Sequence, residues 1–230
     1  MILSIITPVY NEKDTISEIL KKIEAVNLDD ISFKKEIIII DDGSMDGTRD
    51  ILNSLEGKYK IIYHSKNQGK GAAIQTGLKY ASGDFVIIQD ADLEYDPEDY
   101  KKLLECALKN NAEVVYGSRL LNPKNRYSHL AFYLGGLFIT WLTKILYRLD
   151  ITDESTGYKL FRAGVIKSIN LKSKGFGFCP EVTAKITKRG VKIYETPINY
   201  FPRHQKEGKK IKWKDGIEAA WLLIKYRLID

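Results

Sequence analysis

The first half of the sequence alternates short apolar runs with segments of helical pattern, and this alternation constrains the fold more than any other feature. Five apolar runs are predicted as strands: Ile2–Ile6, Glu36–Ile40, Lys60–Tyr63, Phe85–Gln89 and Val114–Tyr116. Four segments between them are predicted as helices: Asp14–Val26, Gly47–Leu55, Gly71–Ala81 and Pro97–Lys109. Strands joined through helices pair in parallel with right-handed crossovers. The sequence therefore predicts an α/β fold with a mostly parallel sheet flanked by helices.

Two carboxylates stand directly after the fourth predicted strand. Asp90 and Asp92 flank Ala91, and residues two apart in an extended chain point to the same side. The carboxyl ends of parallel strands are where open α/β sheets bind ligands. Because two close carboxylates repel each other, a cation between them explains the pair most simply, and hard oxygen ligands suit Mg²⁺ or Mn²⁺ with phosphate oxygens completing the shell. The pair predicts a metal-held diphosphate and thus a nucleotide-linked substrate.

Polar residues also follow three other predicted strands, at positions 7–12, 41–44 and 117–119. Each group alone is a weak signal, since Asp42 or Ser44 is also a suitable cap for the next helix. Because parallel strands end at one edge of the sheet, the groups together predict a pocket. It would offer carboxylates for a base and ribose, Tyr10 for stacking, and Arg119 beside the metal pair.

Other nucleotide-binding and hydrolytic motifs do not occur in the sequence. There is no phosphate-binding loop of the G-x-x-x-x-G-K-[ST] type. Residues 67–72 lack the third glycine of a dinucleotide fingerprint and follow the third strand rather than the first. Neither a serine nucleophile elbow nor a metalloprotease helix is present.

The charge of the chain divides unequally between its two halves. Residues 1–119 hold 15 Lys and Arg against 21 Asp and Glu, whereas residues 120–230 hold 21 against 9. We expect one continuous domain with an acidic, metal-binding half at 1–119 and a basic half at 120–230. The basic half is either solvated surface or a surface that meets anions, namely phosphates, nucleic acid or an anionic membrane.

Two segments of the second half are predicted to be amphipathic helices. Residues 130–147 are 18 residues long with a single charge at Lys144, which borders on the length of a membrane span. For this helix, membrane contact, core packing and a true span all stay open. For the last helix, at about 214–228, packing against the domain and membrane contact through Trp213 and Trp221 both stay open. Because the sequence has no signal peptide and ends at Asp230, we expect a cytoplasmic protein attached peripherally to the cytoplasmic face of a membrane.

The strand-end motifs resemble those of family 2 glycosyltransferases with the GT-A fold. The matching segments are Pro8–Glu12, Asp41–Ser44, Asn67-x-Gly69, Asp90-x-Asp92 and Gly117–Arg119. The second half is similar to the polyprenyl-phosphate branch, which includes dolichol-phosphate mannosyltransferases and dolichol- or undecaprenyl-phosphate glucosyltransferases. The segments that carry this likeness are Asp153, Gly157–Arg162, Gly175–Glu181 and Pro197-x-x-Tyr200-x-x-Arg203.

The resemblance implies a role for each matching residue. Residues implied to hold the nucleobase and ribose are Pro8, Tyr10, Glu12, Asp41 and Asp42. Residues implied to contact the rest of the donor are Lys70, Asp90, Ala91, Asp92, Arg119, Arg203 and Lys209. Asp90, Asp92 and Glu94 would bind Mg²⁺ or Mn²⁺. Relatives often carry Gly-x-Ser-Lys where this chain has Gly208-Lys209-Lys210.

The implied activity is inverting transfer of a hexose from a UDP- or GDP-linked sugar to a polyprenyl phosphate. Asp92, Arg119 and Arg203 would be catalytic, with the two arginines facing the acceptor phosphate and the donor diphosphate. A saccharide hydroxyl is the alternative acceptor and would need a base, for which Glu181 is the candidate, although an acid after Pro180 also suits a helix start. A second alternative, a non-enzymatic module that binds anions or nucleic acid, leaves the acidic strand ends unexplained. We expect a membrane surface and a membrane-protein partner rather than nucleic acid.

Overall fold

The computed structural model describes residues 1–127, 129–203 and 213–229. Its strands are β1 (Ile2–Val9), β2 (Lys34–Asp41), β3 (Lys60–Tyr63), β4 (Phe85–Ile88), β5 (Val114–Ser118), β6 (Lys159–Arg162) and β7 (Ile193–Pro197). Its α-helices are α1 (Ile16–Ala25), α2 (Thr48–Asn53), α3 (Lys70–Tyr80), α4 (Asp99–Lys109), α5 (Leu130–Tyr147), α6 (Ala163–Ser168), α7 (Phe178–Lys188) and α8 (Trp213–Leu228). The strands form one sheet in the order β3-β2-β1-β4-β6-β5-β7.

The centre of the sheet is parallel and covered on both faces. β1 pairs with β2 and β4 in parallel, and β2 pairs with β3 in the same sense. Consecutive residues of β1, Ile5 and Ile6, point to opposite faces and are both fully buried. Apolar residues of α1 and α4 pack on one face, and those of α3, α6 and α7 pack on the other. This layering explains the continuous apolar strands of the sequence.

Two strands of the second half enter the same sheet, and the sequence analysis did not predict them. β6 lies between β4 and β5 and is antiparallel to both, whereas β7 pairs in parallel with β5 at the edge. The sheet is therefore mixed, not parallel throughout. β6 has only two apolar residues, flanked by Lys159 and Arg162, so its short run carries little strand signal. Residues 1–119 and 120–230 share one sheet.

Helix α4 begins at Asp99, two residues after the predicted start at Pro97. Asp96 accepts a hydrogen bond from the Glu98 amide on its carboxylate (3.2 Å) and one from the Asp99 amide on its carbonyl (3.0 Å). These bonds make a separate turn ahead of the helix. The Asp96 side chain thus caps a turn ahead of α4, a position that aspartate favours.

Helices α5 and α8 pack against each other and leave a wide apolar surface exposed. Their buried contact involves Ile139 and Tyr147 of α5 with Leu223 and Tyr226 of α8. The outward faces carry large apolar side chains that are 38–77% exposed: Leu130, Leu134, Phe138, Trp141 and Ile145 of α5, and Trp213, Ile217, Trp221, Ile224 and Leu228 of α8. α5 has a mean hydropathy of 1.4 and the length of a bilayer span, and 22% of it is buried in the protein.

Candidate active site

The carboxyl ends of β1 and β4 meet at one edge of the sheet, where an arginine from the second half joins them. The Arg203 guanidinium lies 3.2 Å from both carboxylate oxygens of Glu12 and 3.3 Å from Asp92 Oδ2. Leu93 takes a left-handed φ of 62°, a strained conformation for an aliphatic residue, and redirects the chain after Asp92. The strand-end acids Glu12 and Asp92 thus contact the same guanidinium, that of Arg203.

Asp90 is held by a lysine at the start of α3. Lys70 Nζ lies 2.6 Å from Asp90 Oδ1 and 2.7 Å from Oδ2. Burial works against the charge of the ammonium, but neighbouring Asp90 outweighs it and raises the pKa of Lys70. A Cβ at Gly157 would lie 2.8 Å from Asp90 Oδ2, so only glycine leaves room for this carboxylate. The buried Ala91 separates it from Asp92.

Asp92 has two other acidic side chains, Asp90 and Glu94, close to it. Burial, followed by the charges of Asp90 and Glu94, raises its pKa to about 7, although Arg203 opposes this. A divalent cation bound by Asp90 and Asp92 would relieve the same repulsion, and carboxylate oxygens are the donors that Mg²⁺ and Mn²⁺ prefer. The two residues fit a metal of this class.

Glu94 faces a different set of partners. Its Oε2 accepts a hydrogen bond from the Tyr200 hydroxyl (3.0 Å), and its Oε1 accepts one from the Arg203 amide (2.8 Å). In the described part of the chain, no three His, Cys, Asp or Glu side chains are grouped as a metal site. Glu94 thus anchors the segment that carries Arg203, and a place for it among the metal ligands stays a prediction.

The two aspartates at the end of β2 are held by positively charged or polar groups at the same sheet edge. Arg49 Nε donates to Asp41 Oδ2 at 2.9 Å, and Asp41 is fully buried. Asp42 Oδ1 lies 2.8 Å from His64 Nδ1, and its carboxylate also accepts the amides of Gln68 and Gly69 at 2.9 and 2.8 Å. Asp42 therefore shapes the glycine loop that precedes Lys70.

The end of β1 lies beside the end of β2. Pro8 and Tyr10 are partly exposed there. Asn11 takes a φ of 50°, its amide donates to Ser44 Oγ (2.9 Å), and its Oδ1 accepts the Met45 amide (2.9 Å). These bonds connect the β1 and β2 ends and place Tyr10 next to the predicted nucleobase acids.

Arg119, after β5, is fixed by Asp153. Its Nε and Nη2 donate to the two carboxylate oxygens at 2.7 and 2.8 Å, and its guanidinium lies 5.2 Å from the centre of the Tyr200 ring. Burial opposes ionisation of Asp153, but Arg119 outweighs it and keeps the carboxyl pKa below its usual range. Tyr200 contacts Arg119 with its ring and Glu94 with its hydroxyl, so it connects the two arginine sites.

A cavity of about 450 Å³ opens beside Asp92 and Arg203. Its remaining lining residues are Thr15, Leu93, Phe201 and Pro202. Arg203 Nε is buried and has no hydrogen-bond partner among the described residues. A buried donor without a partner is costly, and an anion bound beside it would satisfy it.

Comparison with known families decides the identity. The family model described as glycosyl transferase family 2 matches residues 4–169. The chain belongs to the family 2 glycosyltransferases. It is thus an enzyme of the glycosyltransferase class.

Three curated relatives of this glycosyltransferase are each 31% identical to it. They are a dolichol-phosphate mannosyltransferase of Pyrococcus furiosus, a UDP-N-acetylglucosamine–dolichyl-phosphate N-acetylglucosaminyltransferase of Methanococcus voltae and the dolichyl-phosphate β-glucosyltransferase ALG5A of Trichomonas vaginalis. The matches cover 91%, 84% and 97% of this chain. They span 59%, 83% and 72% of the respective relatives.

The fold of this glycosyltransferase is GT-A. A solved structure of glucosyl-3-phosphoglycerate synthase from Mycobacterium tuberculosis, in complex with Mn²⁺, uridine diphosphate and phosphoglyceric acid, superposes with a TM-score of 0.72. The superposition covers 99% of this chain and 79% of that chain at 19% sequence identity. This likeness confirms the predicted architecture.

Glu181 lies in a closed environment within the glycosyltransferase. It is fully buried, and its carboxylate accepts hydrogen bonds from the Lys172 and Ser173 amides, the Lys185 ammonium and the Tyr226 hydroxyl, at 2.6–2.9 Å. Burial opposes ionisation, but Lys185 and the two amides outweigh it and lower the pKa of Glu181. A carboxylate with four donors and a lowered pKa is a poor general base. This geometry favours a structural role.

Lys209, which was expected to contact the donor, lies outside the described residues. Sequence reasoning missed His64 and Arg49, which hold Asp42 and Asp41. His64 follows β3, and a polar residue at the end of a third parallel strand was a usable signal. The Tyr95 hydroxyl, which accepts the Gly157 amide at 2.8 Å, gave no such signal.

Proposed function

We propose that this chain transfers a hexose from a UDP- or GDP-linked sugar to a polyprenyl phosphate, such as dolichyl or undecaprenyl phosphate, with inversion. The observation that carries the proposal is that both acids after β4 face a cation, with Asp92 3.3 Å from the Arg203 guanidinium and Asp90 2.6 Å from the Lys70 ammonium. All three curated relatives are named for reactions of dolichyl phosphate. Their different sugars leave the hexose of this chain open.

The donor side of the reaction uses Asp90, Asp92 and Lys70. Asp90 and Asp92 would hold Mg²⁺ or Mn²⁺, as the Mn²⁺ in the glucosyl-3-phosphoglycerate synthase complex suggests. When bound, such a cation neutralises the charge that develops on a departing diphosphate. Lys70 places a second positive charge next to Asp90, where diphosphate oxygens would arrive. Pro8, Tyr10, Glu12, Asp41 and Asp42 would form or support the nucleoside end of the pocket.

The acceptor side of the reaction needs positive charge rather than a base. The phosphate of a polyprenyl phosphate is already ionised near neutral pH, so its oxygen attacks the anomeric carbon as the bond to the diphosphate oxygen breaks. Arg119, oriented by Asp153, and Arg203, with its buried Nε, would bring this anion to a negatively charged donor and hold it in line. Direct displacement of this kind inverts the anomeric centre. The four donors around Glu181 remove it as the base that a hydroxyl acceptor would need.

The paired helices α5 and α8 would dock on the membrane that holds the acceptor. α5 is tied to the protein through the Tyr147 hydroxyl on the Leu223 carbonyl (2.6 Å) and through Thr140 Oγ1, which accepts the Glu154 amide (3.1 Å). A helix held along the protein surface with its apolar face outward suits the interface better than a span. Lys225 and Arg227 at the end of α8 suit anionic headgroups.

The decisive experiment offers labelled UDP- and GDP-sugars to the protein with polyprenyl phosphate, in Mn²⁺ and in EDTA. We expect label to pass into the organic phase with one donor, and only when the divalent ion is present. The matched control is the polyprenol without its phosphate, which should accept no sugar. Transfer to a soluble oligosaccharide, with none to the lipid phosphate, would refute the proposed acceptor.

A further inference from the structure

We infer that Glu181 is a positioning residue for the donor site. It fixes loop 172–175, the loop fixes the first turn of α3, and Lys70 in that turn is thereby held against Asp90. The inference rests on the proposed function, because Lys70 matters only if a donor diphosphate binds beside Asp90. Glu181 itself is buried away from solvent and contacts its surroundings through four donors. Two of these are consecutive backbone amides, so the carboxylate fixes the backbone of the loop as well as side chains.

Loop 172–175 lies directly on the first turn of α3. The Lys174 carbonyl accepts the Ala72 amide at 2.9 Å, and the Ser173 carbonyl accepts Gln75 Nε2 at 2.9 Å. The approach is so close that a Cβ at Gly69 or Gly71 would lie 2.4 or 2.3 Å from these carbonyl oxygens. Glycine at both positions is required for this contact.

Lys70 lies between these two glycines, so its backbone position is set by the loop. From there its side chain reaches Asp90 with 2.6 and 2.7 Å contacts. Asp42 fixes the other side of the turn by accepting the Gln68 and Gly69 amides. The start of α3 is thus held from both sides, by a carboxylate of the donor pocket and by a loop that depends on Glu181.

Helix α8 reaches the same carboxylate from the docking side of the molecule. The Tyr226 hydroxyl donates to Glu181 Oε1 at 2.9 Å, and a Cβ at Gly177 would lie 2.5 Å from Leu222 Cδ1. The contacts therefore run without a gap from α8 through Glu181 and loop 172–175 to Lys70.

The test measures the affinity of UDP and of GDP, each with MnCl₂, by calorimetry. We expect Glu181→Gln to weaken binding of the preferred nucleotide about tenfold, because losing one charge-assisted contact at a diphosphate has an effect of that order. Tyr226→Phe should weaken it by a smaller factor. Tyr147→Phe is the matched control, since it removes another buried hydroxyl bound to α8 without touching Glu181, and it should leave the affinity unchanged.

A double variant separates positioning from simple loss of structure. If Glu181 acts through Lys70, then Glu181→Gln should weaken binding no further in a Lys70→Met background. In the transfer assay the KM for the donor should rise while the KM for the acceptor stays the same. Equal nucleotide affinity in the wild type, Glu181→Gln and Tyr226→Phe would overturn the inference, as would fully additive effects with Lys70→Met.

If Glu181→Gln fails to fold, Tyr226→Phe alone decides by the same affinity measurement. A wild-type protein that binds neither nucleotide would refute the proposed function itself, and the inference with it.

Discussion

Four aspartates at strand ends share one sequence signal but have different electrostatic environments. Asp41 is bound by Arg49 and Asp42 by His64, whereas Asp90 is bound by the Lys70 ammonium. For Asp92, burial and the neighbouring acids outweigh Arg203 and raise the pKa to about 7. Identical side chains at equivalent strand ends thus have different partners, and the roles proposed for them differ accordingly.

Asp92→Asn should reduce transfer by at least about a hundredfold, because it removes a ligand for the cation and the negative charge beside Arg203. Initial rates with saturating donor and Mn²⁺ would measure this loss. Asp96→Asn is the matched control, since Asp96 lies in the same loop but accepts the Glu98 amide instead. Near wild-type rates in Asp92→Asn would contradict the metal assignment.

Asp153→Ala should destabilise the fold by about 3 kcal/mol, because the partly buried Arg119 guanidinium would lose both contacts with the buried Asp153 carboxylate. Urea unfolding followed by circular dichroism would give the change in the free energy of unfolding. The control is Asp150→Ala, which breaks only an exposed ion pair with Lys144 and should leave stability unchanged. Equal midpoints for the two variants would show that the Arg119 pair contributes nothing.

At the scale of elements, α5 and β6 show why a sequence pattern predicts one element and misses another. α5 was predicted with its observed bounds because 18 residues of helical periodicity give a strong signal. β6 was missed because its strand character comes from its neighbours, β4 and β5, and not from its own four residues. Which face of α5 is exposed was equally unreadable until α8 was placed against it.

The double variant Trp141→Gln, Trp221→Gln should lower binding to lipid vesicles about tenfold or more. Both side chains are more than half exposed on the outward faces of α5 and α8, and burial of one such side chain in the interface is worth about 1.5–3 kcal/mol. Co-sedimentation with vesicles measures the effect. Leu108→Gln changes an exposed apolar residue on α4 and serves as the control. Unchanged sedimentation of the double variant would reject the docking surface.

At the scale of the whole molecule, the division of charge bears on the proposed docking to a membrane. Residues 120–230 hold 21 Lys and Arg against 9 Asp and Glu, and they include both docking helices. The acidic strand ends, by contrast, lie at the sheet edge beside Arg203. The positive charge of residues 120–230 would attract anionic headgroups, whereas the carboxylates of residues 1–119 would remain available to bind a cation.

Binding to anionic vesicles should weaken markedly between about 0.1 M and 1 M NaCl, as the screening length falls from about 10 Å to 3 Å. Binding to neutral vesicles should change little, because it depends on the apolar faces of α5 and α8. Co-sedimentation at the two salt concentrations would measure both. Equal salt dependence on both kinds of vesicle would contradict an electrostatic contribution from the basic half.

The sequence alone determined the alternating strands and helices, the acids at the ends of β1, β2 and β4, and the family to which their spacing belongs. It could do so because periodicity and strand-end motifs are local, and parallel strands bring their carboxyl ends to one edge by geometry. Only the tertiary structure decided that Glu181 is enclosed by four donors, that Glu94 holds Tyr200 and the Arg203 amide, and that β6 reverses its direction. Those roles depend on contacts between residues far apart in the chain, and no local pattern records such partners.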